Sequence, residues 1–596
     1  MKAFVVMGAH EVAGGYLPHL LLGAYMVLLV WLCYLGYRKG KSTEEDYYLA
    51  GRGQGLLVSA LTIMATMFSS AALLGIPGTV YRDGLAFVPF AMNLTVGGLG
   101  IYFLGTRMNR LGKARGYVTP ADMIGEYYGG TSIRILAVST GVLYVLPYVI
   151  MQIKAGGYLA ERLFPDAPPI HVLGREFDMF DTGVWVLSLL TMAYVLVGGM
   201  RSVAWTDVVQ GFLLLTGMLV AGLATVLYFQ SQGGFFRAVS TLPPEALTMP
   251  GATGKWNPWM IFSICTIVAL GAVIQPGQWM RFYAARSVKT LRQCALIFAV
   301  VLPTCFIFGI MVVALGARVE FPPAWKAPVD ELQAAEAWHG DGDYAEGARV
   351  RYADGLFEAK GKVSSGQVFE PESWNPVQKL FPHEALGPEP SDTDKAVIVM
   401  TQLAVPEVFG AVFGSIVVTI ILVAVLAASM STADSNLHAL SAVLTRDVYD
   451  RYVSPDASER QKTWFGRAVI VVATICAVAL VEFSNESSGF NPLKLITQLM
   501  LLALSFCSQL LPVAIDVLFL NKGTQAGAVA GLSTGIAIVV LLNFFPEYSL
   551  GVTSVLHLCA VGVLANALVF ILVSRFTRKV PGDRVEQFRR IIRGER

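Results

Sequence analysis

The chain has 596 residues, 55% of them hydrophobic and 14% charged, with a formal net charge of +2 and a mean hydropathy of +0.59. A soluble domain carries about a quarter charged residues, so this composition excludes one, and neither the net charge nor its distribution suggests a nucleic-acid partner. Charge-free runs long enough to cross a bilayer recur along the whole length, which predicts an all-α polytopic membrane protein.

Hydropathy predicts thirteen spans, at 16–37, 55–81, 85–106, 133–157, 183–200, 208–229, 257–279, 293–317, 408–432, 464–484, 491–515, 524–544 and 551–574. The first run lacks a charged n-region and a small-residue cleavage site, so it reads as a permanent helix rather than a signal peptide. Basic clusters fall at Arg38–Lys41 with Arg52, at Arg107, Arg110, Lys113 and Arg115, at Arg281, Arg286, Lys289 and Arg292, at Arg446, Arg451, Arg460 and Lys462, and in the tail from Arg575. Thirteen spans with an outside N-terminus place all of them on the inner side. That predicts a cell (inner) membrane protein with a cytoplasmic C-terminus.

In chain order, 1–54 hold the outer N-terminus, the first span and an inner loop. Residues 55–317 and 396–520 form the core. Between them lies a polar insertion, 318–395, rich in Asp, Glu, Gly and Pro and extracytoplasmic by topology. Arg349–Val363 reads as a hairpin around Asp354-Gly355. The short apolar segment Ala396–Val405 reads as a helix on the outer face. Residues 521–574 hold two peripheral spans, and 575–596 a basic cytoplasmic tail.

Two spans carry breakers: the second has Gly75, Pro77 and Gly78, and the seventh has Gly271, Pro276 and Gly277. Interrupted spans at corresponding places in two halves point to a transporter binding site. Here they lie five spans apart, the separation that a five-plus-five inverted repeat with two broken helices requires.

The ninth span contains AASMSTADS, and 26 uncharged residues separate Glu407 from Asp434. Ala428, Ser431 and Thr432 follow i, i+3, i+4 spacing and share one helix face. At this depth the two hydroxyls need either their own backbone carbonyls or a bound ion. The seven cysteines, Cys33, Cys265, Cys294, Cys305, Cys476, Cys507 and Cys559, lie in or beside apolar segments, which argues against a disulfide framework or a zinc site.

Four motifs, YYLAGRGQG, GGMRSVAWTDVVQG, QPGQWMRFYAAR and MSTADSNLHALSAVLTRDVY, occur in an order and spacing that resembles the sodium:solute symporters. The resemblance covers nearly all of the first 575 residues apart from the insertion. It implies a leucine-transporter-type inverted-repeat fold and sodium-driven uptake, with no enzymatic activity. It also implies a sodium ion, Na+, held by the carbonyls of Ala65, Phe68 and Ala428 and the hydroxyls of Ser431 and Thr432. Unwound backbone suits such an ion because its carbonyls are free of helix bonds.

Asp207 then reads either as an acid on the sodium exit path or as an N-terminal helix charge. Arg52 reads as an inner-mouth residue or a topology signal, and Arg281 as a topology signal. The polar residues Ser69, Ser70, Asn93, Gln152, Gln275 and Gln498, in otherwise apolar spans, are the candidate solute ligands. The chain departs from some relatives in two places. Cys265–Ile274 has no aromatic residue, and Met67 stands where some have an acid.

Lys154 reads as a snorkelling residue or an attractor of a carboxylate solute. His438 and His557 lack catalytic partners nearby in sequence and read as core or interface residues. The expected partners are a small organic solute, sodium and the bilayer, with no obligate protein partner. The rival readings are a transporter-fold sensor or receptor, a membrane-embedded enzyme, and a proton-coupled symporter. Against the last, no carboxylate sits beside Ser431 and Thr432 at mid-membrane to carry a proton.

Overall fold

The computed structural model describes residues 17–40, 43–164, 168–172, 175–321, 336–339, 342–352, 355–364, 373–378, 390–486 and 496–595. Among these, nine helices are long and apolar enough to cross a membrane, or up to eleven if each of two bent pairs is one span. Two of the nine, Ala71–Arg115 and Met179–Gln232, run for 45 and 54 residues. A helix of that length extends well beyond 60 Å, twice the ~30 Å hydrocarbon core, which is consistent with thirteen crossings.

The second span divides into Leu56–Met67 and a helix that resumes at Ala71. Phe68, at φ −90° and ψ 86°, turns the chain out of the helix. Its break therefore lies ahead of the expected Gly75, Pro77 and Gly78, which are helical. The two glycines there serve close packing: a Cβ on Gly75 would meet Thr497 at 2.7 Å, and one on Gly78 would meet the Thr393 carbonyl at 2.7 Å.

The seventh span breaks as the sequence indicates. Pro258–Val273 and Pro276–Ala284 meet at 54°, with Pro276 at the first turn of the second half, where its missing N–H costs nothing. A third bend, of 42°, separates Ile496–Ser508 from Leu511–Leu520 in the eleventh span. Pro512 opens the second piece, and the Gln509 carbonyl accepts Asn566 Nδ2 at 2.8 Å.

The fifth and sixth spans form the stretch Met179–Tyr228, which turns at Gly199 with φ +56°, a conformation open to glycine. Tyr47 packs against Gly199, and Arg201 pairs with Asp46. Gln54 exchanges backbone bonds with Ala284 and Arg286 at 3.3 and 2.9 Å. Three of the four motifs thus meet at one end of the bundle. The fourth joins them there through Arg446, which bonds Glu44 and Asp122 at 3.0 Å each. Burial works to raise the Asp122 carboxyl, but Arg446, the Val118 N–H, Arg134 and Arg451 hold it below the usual range.

The insertion is more than a loop with one hairpin. Glu336–Ala337, Arg349–Tyr352, Gly355–Ala359 and Trp374–Gln378 form a four-stranded sheet in that order. It has its own small core of Tyr344, Val350, Ala359, Val363 and Trp374. Strands 349–352 and 355–359 pair antiparallel with Tyr352 opposite Gly355, and Asp354 lies outside the described residues.

The helix Ala396–Phe409 is mostly buried and packs against the sixth, eighth and ninth spans; it is a core element, not one lying on a face. A helix in the tail, Gly582–Arg593, buries Phe588 and Ile592. The Phe588 ring lies 5.1 Å from that of Tyr127.

Candidate functional site: an oxygen cluster between the second and ninth spans

The break in the second span frees carbonyls. In an unbroken helix the Ala65 oxygen would accept the Ser69 N–H, but the helix ends at Met67. The Phe68 oxygen would accept the Ala72 N–H, which instead bonds the Ser69 oxygen at 2.9 Å. The ninth span, Ala411–Leu444, runs unbroken opposite. Ser431 Oγ lies 3.2 Å from the Ala65 oxygen and 3.0 Å from the Ala428 oxygen. Thr432 Oγ1 lies 3.2 Å from the Ala65 oxygen and 3.5 Å from the Phe68 oxygen.

The structure therefore brings together the five oxygens singled out from the sequence. Ala65, Phe68, Ala428, Ser431 and Thr432 are all buried. Two hydroxyl protons cannot serve four close contacts, whereas a hard cation would use a lone pair from each oxygen. Ser429, two residues earlier, shows the alternative: its hydroxyl bonds its own Val425 carbonyl at 3.2 Å.

One turn further along the ninth span lies a fully buried charge network. Arg281 Nη2 bonds Asp207 Oδ2 at 3.0 Å and Ser435 Oγ at 2.5 Å. Its Nε bonds Thr62 Oγ1 at 2.9 Å, and its Nη1 the Gly277 carbonyl at 3.1 Å. Thr62 donates to Asp207. Ser435 Oγ lies 3.0 Å from Asp434 Oδ1 and 2.5 Å from the Ser431 carbonyl. Tyr194 donates to Asp434 Oδ2 at 2.6 Å.

Two expectations change here. Arg281 is no topology signal, since its side chain has no exposure. Asp207 is not an N-terminal helix charge, because it lies two turns past Gly199 and is ion-paired. Asp434, three residues past Ser431, has no exposure and reaches the Ser431 carbonyl only through Ser435. Arg281 pairs directly with Asp207 and reaches Asp434 only through Ser435.

Of the candidate solute ligands, Ser69 and Asn93 line one small cavity with Met67, Phe68, Phe90 and Tyr148. Its volume of about 30 Å³ holds no more than a water or two. Asn93 Nδ2 donates to the Ile264 carbonyl at 3.3 Å.

Ser70 and Gln152 are occupied with each other: the Ser70 N–H donates to Gln152 Oε1 at 3.0 Å, capping the resumed helix. Gln275 bridges the two breaks, its Nε2 lying 3.1 Å from Met67 Sδ. Gln498 is exposed and does not join the cavity. Lys154 lies over the Tyr158 ring at 5.7 Å. Arg52 bonds Glu45 at 2.5 Å and the Tyr117 carbonyl at 3.0 Å.

Gln152→Ala should therefore strand a buried N–H and cost about 1–3 kcal/mol, read by thermal unfolding. Gln152→Glu in its protonated form, which keeps the acceptor and can still donate to the Tyr148 carbonyl as Nε2 does, should recover most of the loss at acidic pH. Equal behaviour of the two variants would remove this capping role.

Residues 47–334 and 377–535 match the sodium:solute symporter family. The chain is 22% identical to the high-affinity proline transporter PutP of Bacillus subtilis, over 93% of this chain and 98% of that protein. It is 23% identical to the sodium/proline symporter of Escherichia coli, over 88% of each. It is 25% identical to the E. coli sodium/pantothenate symporter over 50% of this chain and 60% of that one. A solved Na+-coupled sialic acid symporter shares the fold, with a TM-score of 0.66 and 17% identity, over 95% of this chain and 99% of that one. The chain belongs to the sodium:solute symporter family: it is a multi-pass membrane symporter with Na+ as its coupling ion, and not an enzyme.

Proposed function

We propose that this symporter imports a small organic solute by alternating access, with sodium held by the carbonyls of Ala65, Phe68 and Ala428 and the hydroxyls of Ser431 and Thr432. The observation that carries this reading is the convergence of those five oxygens at the break in the second span. The adjacent small cavity, lined by Ser69 and Asn93, is where the solute would sit once the pathway opens. We further propose thirteen crossings, with the N-terminus outside and the tail in the cytoplasm.

The driving force can be bounded. One charge crossing about 150 mV supplies about 3.5 kcal/mol, and a tenfold sodium gradient adds about 1.4 kcal/mol. Roughly 5 kcal/mol per sodium supports accumulation of a neutral solute by about three to four thousandfold.

The test is uptake into proteoliposomes under an imposed sodium gradient. The panel holds monocarboxylates, amino acids including proline, sugars and pantothenate, after screening by sodium-dependent thermal stabilisation. Sodium-independent binding without uptake across the panel would favour the sensor reading, and proton-driven uptake in sodium-free buffer would overturn sodium coupling.

The insertion is proposed to be extracytoplasmic and dispensable for coupling, but its ends are not. Arg318 donates to the Tyr81 and Arg82 carbonyls at 2.8 Å each. Asp394 accepts the Ile496 N–H at 3.2 Å, and Lys395 pairs with Glu161 at 2.9 Å. Replacing 322–389 with a Gly/Ser linker should leave sodium-driven uptake within about twofold, since loop length costs little. Extending the cut through Lys395 should lower it further. Loss of coupling in the shorter cut, in protein shown to be inserted, would contradict this, as would labelling of the insertion from the cytoplasmic side.

A further inference from the structure

The third span ends on Phe103, Arg107 and Arg110, spaced by four and three residues and so on one helix face. Arg107 lies over the Phe519 ring, 3.7 Å from its centroid, and its Nη1 donates to the Leu518 carbonyl at 3.4 Å. Those residues belong to the last turn of the eleventh span, which closes at Asn521 with φ +53°. Asn521 Oδ1 accepts Arg589 Nε at 3.0 Å. Arg589 sits in the tail helix one turn before Ile592, and the Ile592 carbonyl accepts Arg110 Nη1. The contacts close a ring: three guanidinium groups, from two distant parts of the chain, are drawn to one spot.

Like charges this close repel, so the arrangement calls for something negative. Among the described residues, each of the three makes one hydrogen bond, to a neutral oxygen, and none meets a carboxylate. A guanidinium has five N–H donors, so most are left over. Asp516, in the same turn of the eleventh span, is already spent. It accepts Tyr128 Oη at 2.7 Å and the N–H groups of Lys522 and Gly523 at 2.8 and 2.9 Å. Arg115, Arg590 and Arg593, on the same two helices, do have acidic partners: Glu126 at 3.5 Å, Glu586 at 3.3 Å and Glu595 at 3.7 Å.

The surroundings say what kind of anion fits. Arg107, Arg110 and Arg589 are partly exposed, and beside them Phe103, Phe519 and Leu520 are exposed. Cations next to exposed apolar side chains, at the ends of two spans, mark the depth where hydrocarbon gives way to headgroups. A small soluble anion has no use for the apolar rim. A phospholipid uses both parts, its phosphate on the guanidinium forks and its acyl chain along Phe103, Phe519 and Leu520.

We propose that Arg107, Arg110 and Arg589 form a binding site for the headgroup phosphate of an anionic phospholipid, which fastens the tail helix to the ends of the third and eleventh spans. Basic pockets between spans at this level suit such headgroups. None of these residues belongs to the oxygen cluster, so the site stands or falls apart from the sodium reading.

The test is thermal unfolding of the purified protein in neutral detergent, titrated with short-chain phosphatidylglycerol. Phosphatidylglycerol should raise the melting temperature, and phosphatidylcholine should not. Arg107→Gln/Arg589→Gln should raise the half-effect concentration of phosphatidylglycerol about thirtyfold, the worth of two basic residues at an anionic surface. Arg590→Gln/Arg593→Gln is the control. It removes the same charge from the tail helix, at residues paired with glutamates, and should titrate like the wild type.

If the first double variant does not fold, Arg589→Gln alone, on the surface helix, should still raise the half-effect concentration about fivefold. Equal stabilisation by both lipids, or by neither, would overturn the site. So would an equal loss in the two double variants, or an unchanged titration in Arg589→Gln, since either would leave only diffuse charge. Inorganic phosphate at the same concentrations is the last arm. A matching stabilisation, lost in the same variant, would make this a site for free phosphate and overturn the lipid.

Discussion

Arg281→Gln should destabilise the protein by about 3–5 kcal/mol, the usual cost of removing one partner of a buried ion pair, and abolish uptake. Its guanidinium is the one cation in a network that holds both Asp207 and Asp434, all without exposure. Removing it leaves the buried Asp207 carboxylate uncompensated. Asp207→Asn should cost less, because Arg281 keeps Ser435 and, through it, Asp434. The ion pair predicts that the Asn variant loses both stability and uptake rate; slowed uptake at unchanged stability would point to a role on the sodium exit path alone.

The double variant Asp207→Asn/Arg281→Gln should recover at least half of the Arg281→Gln loss, because the unpaired charge at Asp207 is gone. Denaturation of the purified variants in detergent, alongside initial uptake rates, checks all three. An Arg281→Gln protein as stable as the wild type would show that the guanidinium does not balance the network.

That network was invisible in the sequence for a definite reason. Arg281 and Asp207 are 74 residues apart, and Ser70 and Gln152 are 82 apart. No helical or strand period relates positions at such separations, so only the fold reveals the pairing. Arg281 sits in a run of basic residues that also satisfies the inner-loop charge rule, and the rule absorbed it. What periodicity does carry is local. The i, i+3, i+4 placement of Ala428, Ser431 and Thr432 follows from helix geometry alone.

The breaks were half legible. Pro276 marks the seventh because proline forbids the preceding helix bond. The second breaks at Phe68, where neither glycine nor proline marks it, so Ala65 and Phe68 came from family resemblance and from nothing in the residues themselves. Gly75 and Gly78 misdirected the reading because glycine serves close approach as readily as a turn, and here it makes room for Thr497 and Thr393. The fold class was plain from composition, while the small sheet of the insertion, built on five core side chains, was too weak a pattern to read beyond one hairpin.

Ser431→Ala and Thr432→Ala should each raise the sodium half-saturation of uptake at least tenfold, about 1.4 kcal/mol of lost binding. Each removes one of five oxygens from a site with no charged ligand. The double variant should lose somewhat less than the hundredfold expected of independent sites, because both hydroxyls approach the same Ala65 carbonyl and neighbouring changes are not additive. Ser429→Ala supplies the control: it is equally buried on the same helix, with its hydroxyl on its own Val425 carbonyl. Its sodium dependence should match the wild type. Thr432→Ser should recover most of the loss, since it restores the oxygen without the methyl. Sodium titrations of thermal stability give the same comparison before a solute is in hand. Unchanged sodium dependence in both alanine variants would mean that these hydroxyls only satisfy backbone, as Ser429 does, and would return the ninth span to a structural role.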